Sequence, residues 1–209
     1  MTMNIKFYNA LILFSSVLFS TQLLATSPQA DDSNLTAPIQ QKIIAYFDTK
    51  GHLSKTAFNQ GYYRVLLGRN LNGDYLVQDF YQDKQTPQTS PFWITRLDAV
   101  LSFDHHIHEG TATFSRKDGS KLGESTVSNG KEISGRGFYL NGQRAAEYKL
   151  NVRNEFDTTL WYASGQKAAE YVADSSHKII KGIAWDINGN KIDNLQLLKN
   201  QIYSKWKFE

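Results

Sequence analysis

Apolar and polar residues alternate in short runs along most of the chain, which is the pattern of β-strands. Ten runs rich in aromatic and β-branched residues predict strands: IIAYF (43–47), YYRVLL (62–67), YLVQDFYQ (75–82), ATF (112–114), GFYL (137–140), EYKL (147–150), TLWY (159–162), AEYV (169–172), KGIAW (181–185) and IYSKW (202–206). Segment 94–101 fits either a short helix or a strand. The pattern predicts an all-β fold.

Turn residues between these runs recur at a regular interval. Gly119, Gly142, Gly165 and Gly189 are separated by 23, 23 and 24 residues. The segment FYLNGQRAAEY (138–148) is nearly repeated as WYASGQKAAEY (161–171). Such a period predicts an extended antiparallel meander of stacked β-hairpin repeats of about 23 residues each, in which each unit packs on its neighbours. We expect residues 39–209 to form a single repeat domain.

The turn type decides which side chains share a face. Asn-Gly pairs between strands favour two-residue type I′ turns, in which both central residues have positive φ. With that turn, Phe138, Leu140 and Ala145 fall on one apolar face together with their copies, and we expect this face to form the core. The opposite face then carries six candidate partner-binding residues: Tyr139, Arg144, Tyr148, Tyr162, Lys167 and Tyr171. Alternatively, these residues are ordinary cross-strand pairs that stabilise a solvated face.

The same register places three glutamates, Glu124, Glu147 and Glu170, on the apolar face. Either a bulge changes the register, or these glutamates lie at the rim of the sheet and pair with Lys or Arg of an adjacent unit.

The N-terminus predicts export. Residues 1–25 contain Lys6, an apolar stretch from Ala10 to Phe19 and a small residue at Ala25, as in a cleavable signal peptide. The apolar stretch is shorter than the roughly 20 residues that span a bilayer, so cleavage is favoured over a membrane anchor. Residues 26–38 are polar and predict a flexible leader. We expect a periplasmic or secreted bacterial protein without a stable membrane anchor after cleavage.

Composition excludes several function classes. The formal charge is +3, with 23 basic and 20 acidic residues and no long basic run, so nucleic acid is not expected as a partner. Cysteine is absent, which excludes disulfides, thiolate metal sites and a cysteine nucleophile. The chain has no Gly-x-Ser-x-Gly elbow and no Gly-x-Gly-x-x-Gly phosphate loop. We therefore expect no enzymatic activity and no cofactor.

One polar cluster is a candidate metal site. On a strand, Asp104, His106 and His108 would share a face, and a carboxylate with two imidazoles at this spacing can bind a divalent ion. No fourth ligand is apparent in the sequence.

The repeat resembles a known family. Each turn glycine from 119 to 189 follows an aromatic residue by four or five positions and precedes a basic residue by two, as in Phe138, Gly142 and Arg144. This unit resembles the MORN-variant repeat (YwqK-like antitoxin) family of bacterial β-hairpin repeat proteins, with good coverage over 110–195. The resemblance implies stacked hairpins and contact with another macromolecule, and it supplies no catalytic residues.

Together these features predict an exported, non-enzymatic repeat protein that binds another protein, as the immunity partner of a toxin does. The alternative is a cell-envelope module that binds glycan or peptidoglycan. That alternative requires Trp161 and Trp185 to face solvent rather than the core.

Overall fold

The computed structural model describes residues 41–208, and the predicted signal peptide (1–25) and leader (26–38) lie outside the described residues. In chain order the elements are β1 (Lys42–Phe47), β2 (Tyr62–Arg69), β3 (Tyr75–Tyr81), β4 (Phe92–Ile94), α1 (Leu97–Val100), β5 (Gly110–Ser115), β6 (Lys121–Ser128), β7 (Lys131–Phe138), β8 (Arg144–Leu150), β9 (Phe156–Trp161), β10 (Lys167–Ala173), β11 (Ile179–Trp185), β12 (Lys191–Ile192) and α2 (Leu195–Phe208).

The predicted all-β antiparallel meander is confirmed. Strands β1 to β4 form one sheet and β5 to β12 form another, and in both sheets strands that follow each other in sequence lie side by side. The described chain divides into two compact units, 41–112 with 117–119 and 113–116 with 120–208. That residues 39–209 act as one domain stays a prediction.

In the first unit, the core of the four-stranded sheet surrounds a buried ion pair. Phe47, Val77 and Ile94 are fully buried. Arg64 on β2 lies directly opposite Asp79 on β3, and both side chains are 0% exposed. Segment 94–101, for which the sequence left two choices, ends strand β4 and then forms the single helical turn α1.

In the second unit, the repeated hairpins share one turn that differs from the predicted type. The Tyr139 N–H donates to the Gln143 carbonyl and the Gly142 N–H donates to the Tyr139 carbonyl, both at 2.9 Å. Gly142 has φ +80°, whereas Asn141 does not have a positive φ. This is a type I turn followed by a left-handed glycine, the three-residue loop with a bulge. The predicted type I′ turn is therefore wrong here, although it occurs at Asn129 and Gly130.

The bulge changes which residues share a face. Pairing shifts after Gly137, so that Phe138 lies opposite Arg144 rather than opposite Ala145. Ala145 and Ala146 are consequently both fully buried. The predicted grouping of Tyr139 with Arg144 is wrong, because the extra residue places the cation on the face of Phe138.

Residues 202–206, predicted as a strand, belong to helix α2. Leu198, Ile202 and Trp206 are four residues apart and buried, which is helical rather than strand periodicity. Trp206 rests on glycines of the sheet: a Cβ added to Gly137 would lie 2.1 Å from its ring. The Trp206 Nε1–H donates to the Leu122 carbonyl at 2.7 Å. Helix α2 therefore covers one face of the eight-stranded sheet.

Candidate binding surface

The six predicted partner-binding residues do not form one exposed stripe. Arg144 and Lys167 are exposed, but Tyr139 and Tyr171 are only 4% and 5% exposed. Tyr148 and Tyr162 are half-buried. The structure thus separates the tyrosines from the cations, and the expectation of an exposed tyrosine stripe is wrong.

Two of these tyrosines connect consecutive repeats. The Tyr139 hydroxyl donates to the Trp161 carbonyl at 2.8 Å, and the Tyr162 hydroxyl donates to the Trp185 carbonyl at 2.7 Å. Burial raises the pKa of Tyr162, and the charge of Asp186 raises it further, so the hydroxyl stays protonated and can donate. The two bonds have nearly the same length, which indicates that both tyrosines have the same structural role.

The other two tyrosines lie beneath helix α2. The Tyr148 hydroxyl donates to Glu132 Oε1 at 2.6 Å, and the Tyr203 hydroxyl of α2 donates to that of Tyr171. Burial raises the pKa of both Tyr148 and Tyr203 well above the ordinary value. The Lys199 ammonium lies 5.6 Å from the centre of the Tyr171 ring. The bond between Tyr203 and Tyr171 and the Lys199 contact thus join α2 to the sheet, whereas the Tyr148 hydroxyl joins β8 to β7.

The opposite face of this sheet, which we call the outer face, carries a row of aromatic and basic side chains. Phe138 lies opposite Arg144, Trp161 opposite Lys167, and Trp185 opposite Lys191. The three aromatic rings are half-buried and the three cations are exposed. The aromatic–cation row therefore consists of six residues on six consecutive strands: Phe138, Arg144, Trp161, Lys167, Trp185 and Lys191.

Cations lie against the rings of this row. The Arg144 guanidinium is 5.3 Å from the centre of the Trp161 ring, and the Lys121 ammonium is 5.0 Å from that of Phe138. Both distances are within the range of cation–π attraction. The rings are held in place while part of their surface stays open to solvent.

A second row, of carboxylates, runs beside the first. Arg144 pairs with Glu147 at 2.7 Å and Lys167 pairs with Glu170 at 2.5 Å, and Lys121 pairs with Glu124 in the same way. Arg136 bridges Glu124 and Glu147 at 3.0 and 2.6 Å. Burial raises the pKa of Glu124, but its bonds to Lys121 and Arg136 outweigh this and lower it. The bulge explains why these glutamates, assigned to the apolar face by a two-residue turn, lie on the outer face.

The predicted metal site is not assembled. Segment 104–109 lies in irregular structure rather than on a strand, and Ile107 within it and the neighbouring Phe103 are buried. Within residues 41–208, no group of three or more His, Asp or Glu side chains is placed to hold a metal ion. The structure therefore does not bring Asp104, His106 and His108 together as ligands, contrary to the expectation.

Sequence reasoning missed His105, which lies between the expected ligands. Its Nε2 is 3.0 Å from Asp79 Oδ2, and its side chain is 4% exposed. Burial lowers the pKa of His105 despite the nearby Asp79 carboxylate, so the imidazole is neutral and donates to that carboxylate. The sequence did contain a signal for this position. Phe103, His105 and Ile107 occupy every second position, so His105 is expected to point to the same buried side as its two apolar neighbours.

Arg64 completes this buried cluster. Its Nε and Nη2 donate to the two Asp79 oxygens at 2.6 and 2.8 Å. Its Nη1 donates to the carbonyls of Val100 and Ser102, both at 3.0 Å, which fixes the end of α1. An aspartate beside a histidine can serve in acid–base catalysis, but full burial keeps substrate away from this pair. The cluster holds the core together.

Comparisons with known proteins gave no match: no family model, no curated protein and no solved structure is significantly similar to the chain. In the described range, neither helix has the length and apolar character needed to cross a membrane. The resemblance to MORN-variant repeats stays a prediction.

Proposed function

We propose that this is an exported, non-enzymatic binding module that contacts another protein through the aromatic–cation row. The observation that carries the proposal is the regular alternation of aromatic and basic side chains on an open sheet face. Tryptophan and arginine are enriched where proteins meet, and they contribute much of the binding energy there.

The dimensions of the row suit a macromolecular ligand. Six adjacent strands about 4.8 Å apart give a row about 24 Å long. Its ion pairs and cation–π contacts fix the side chains before binding, which lowers the entropy lost on association. A preformed linear surface of this length matches an extended partner better than a small molecule.

The experiment is a quantitative capture of protein from a cell-envelope extract, with the purified chain as bait. The variant Arg144→Glu/Lys167→Glu reverses two charges of the row. The control, Lys50→Glu/Lys55→Glu, makes the same change at exposed residues of the first unit. We expect the row variant to lose the captured partner and the control to retain it; equal capture by both, or no partner at all, would refute the proposal.

A more specific version of this proposal is that the protein is the immunity partner of a toxin. It is supported by the resemblance to the antitoxin-labelled repeats and by the predicted signal peptide, which would place the target toxin in the periplasm. Co-expression with an exported toxin encoded next to this gene tests it. Protection that disappears in the row variant supports the role, whereas the absence of any protecting pair contradicts it.

A second candidate is binding of envelope glycan. It is favoured by one observation: Trp161 and Trp185 lie half-exposed on the outer face rather than beneath α2. Sedimentation with insoluble peptidoglycan tests this function. Binding that is lost in Trp161→Ala/Trp185→Ala but kept in Phe58→Ala, a control in the first unit, would favour glycan over a protein partner.

A further inference from the structure

The fourth hairpin of the repeat lacks most of its return strand. The return strands of the two preceding hairpins, β8 and β10, have seven residues each. In the fourth hairpin the return strand β12 has two residues, Lys191 and Ile192, before the chain enters α2. One strand position at this end of the sheet is therefore only partly filled.

The missing residues leave an edge of β11 exposed. On one side β11 pairs with β10 from Ile179 to Ala184. On the other side, its pairing within the described residues is limited to Ala184 and Trp185, which lie opposite β12. Ile180 is 52% exposed, and Lys181 and Gly182 are exposed as well. Residues 179–183 therefore present strand backbone that another strand can pair with.

The charge pattern is interrupted at the same place. In the preceding hairpins, Glu147 and Glu170 pair with the cation three residues earlier. In the fourth, Asn194 stands at that position, and its Oδ1 instead accepts from the Leu197 N–H at the start of α2. Lys191 consequently has no ion pair among the described residues, unlike Arg144 and Lys167.

We propose that the edge of β11 at 179–183 accepts an extended acidic segment of another protein, which takes the place of the missing return strand. Such a strand would pair its backbone with the edge and place carboxylates opposite Lys181 and near Lys191. The preceding hairpins show this chemistry within the chain, since their return strands carry glutamate beside a cation. Strand addition is a common mode of peptide recognition.

A second copy of the chain is a poorer occupant. Because Ala184 already pairs with Ile192, the open segment is centred on Lys181. Antiparallel pairing of two such edges about a two-fold axis would place Lys181 opposite Lys181 of the copy, and like charges directly opposite are destabilising. Lys191 also belongs to the aromatic–cation row, but residues 179–183 do not. The row variant Arg144→Glu/Lys167→Glu changes no residue of this edge, so failure of the edge site can be distinguished from failure of the proposed function.

The test is an NMR titration of the ¹⁵N-labelled protein with two synthetic peptides. Both alternate valine and threonine; one carries glutamate at two outward positions and the other carries lysine there. We expect the glutamate peptide to shift the amide signals of 179–183 and to slow their hydrogen exchange. No binding of this peptide, equal binding of both, or shifts confined to other strands would overturn the inference.

Matched variants distinguish strand pairing at the β11 edge from a general electrostatic attraction between the peptide and the protein. Lys181→Glu should weaken binding of the glutamate peptide about fivefold or more and improve binding of the lysine peptide. Lys149→Glu makes the same change at an exposed residue of β8, which has a strand on both sides, and should leave both affinities unchanged. Equal effects of the two variants, or concentration-dependent shifts at 179–183 without peptide, would contradict an acidic strand as the occupant.

Discussion

The Tyr139 hydroxyl donates to the backbone carbonyl of Trp161, 22 residues later and one repeat away, at 2.8 Å. The same bond joins Tyr162 to Trp185 at 2.7 Å. Each tyrosine therefore connects its own turn to the last residue of the next outgoing strand. In a meander where units contact only their neighbours, such bonds contribute to the interface between repeats.

Replacing Tyr139 by phenylalanine should lower the free energy of unfolding of the second unit by about 1–3 kcal/mol. The ring still fits, but the Trp161 carbonyl loses a hydrogen-bond donor at a part-buried site. Chemical denaturation followed by circular dichroism measures the change. Tyr162→Phe provides the comparison: because Tyr162 is less buried, water can replace its hydroxyl and the loss should be smaller. Negligible losses in both variants would argue against a structural role of the bond, and equal losses would contradict the expected dependence on burial.

Gly137 and Gly142 should respond to alanine for different reasons. At Gly142 a Cβ meets nothing within 4 Å, and the cost of about 1–2 kcal/mol comes from the positive φ alone. At Gly137 a Cβ would collide with the Trp206 ring. We expect Gly137→Ala to displace α2, with a larger loss of stability and a red-shifted tryptophan emission. Unchanged emission in Gly137→Ala would mean that Trp206 does not rest on this glycine.

The sequence predicted the fold class because strand pattern and turn glycines both recur at a fixed period. It did not predict the faces, because an Asn-Gly pair fits two turn types that differ by one residue. The additional loop residue decides whether Arg144 lies on the same face of the sheet as Tyr139 or as Phe138.

Helix α2 and the buried cluster of the first unit were not predicted from the sequence for a different reason. Residues 202–206 are aromatic and β-branched enough to suggest a strand, and the helical spacing of Leu198, Ile202 and Trp206 is visible only over a longer window. The partnership of Arg64, Asp79 and His105 depends on contacts between distant segments. No local pattern specifies such contacts, although the alternation of His105 with Phe103 and Ile107 indicates that His105 points inward.

Removing one member of the buried ion pair should destabilise the first unit strongly. Arg64→Met leaves the Asp79 carboxylate uncompensated in the core and also removes the donor to the carbonyls of Val100 and Ser102. Such a loss is typically about 3–5 kcal/mol. The measurement is urea denaturation, with the double variant Arg64→Met/Asp79→Leu as the control. The double variant should recover part of the loss; no recovery would mean that the carboxylate is not the source.

The stability of the first unit should depend on pH through His105. Burial lowers the pKa of His105 below its ordinary value of 6.5, so the unfolded chain takes up the proton more readily than the folded one. The free energy of unfolding should therefore fall as the pH drops below 6.5, until the folded-state pKa is passed. Burial raises the pKa of Asp79, but Arg64 and His105 lower it from 3.8 to about 2, which adds a second loss below pH 3.8.

Urea denaturation at several pH values between about 7 and 5 measures the first of these losses. His105→Gln should flatten the dependence in that window, whatever its effect at neutral pH, because the titrating group is gone. His106→Gln is the matched control. It should retain the wild-type dependence of the unfolding free energy on pH, because His105 and not His106 contacts Asp79. A slope that persists in His105→Gln would assign the pH dependence to another group.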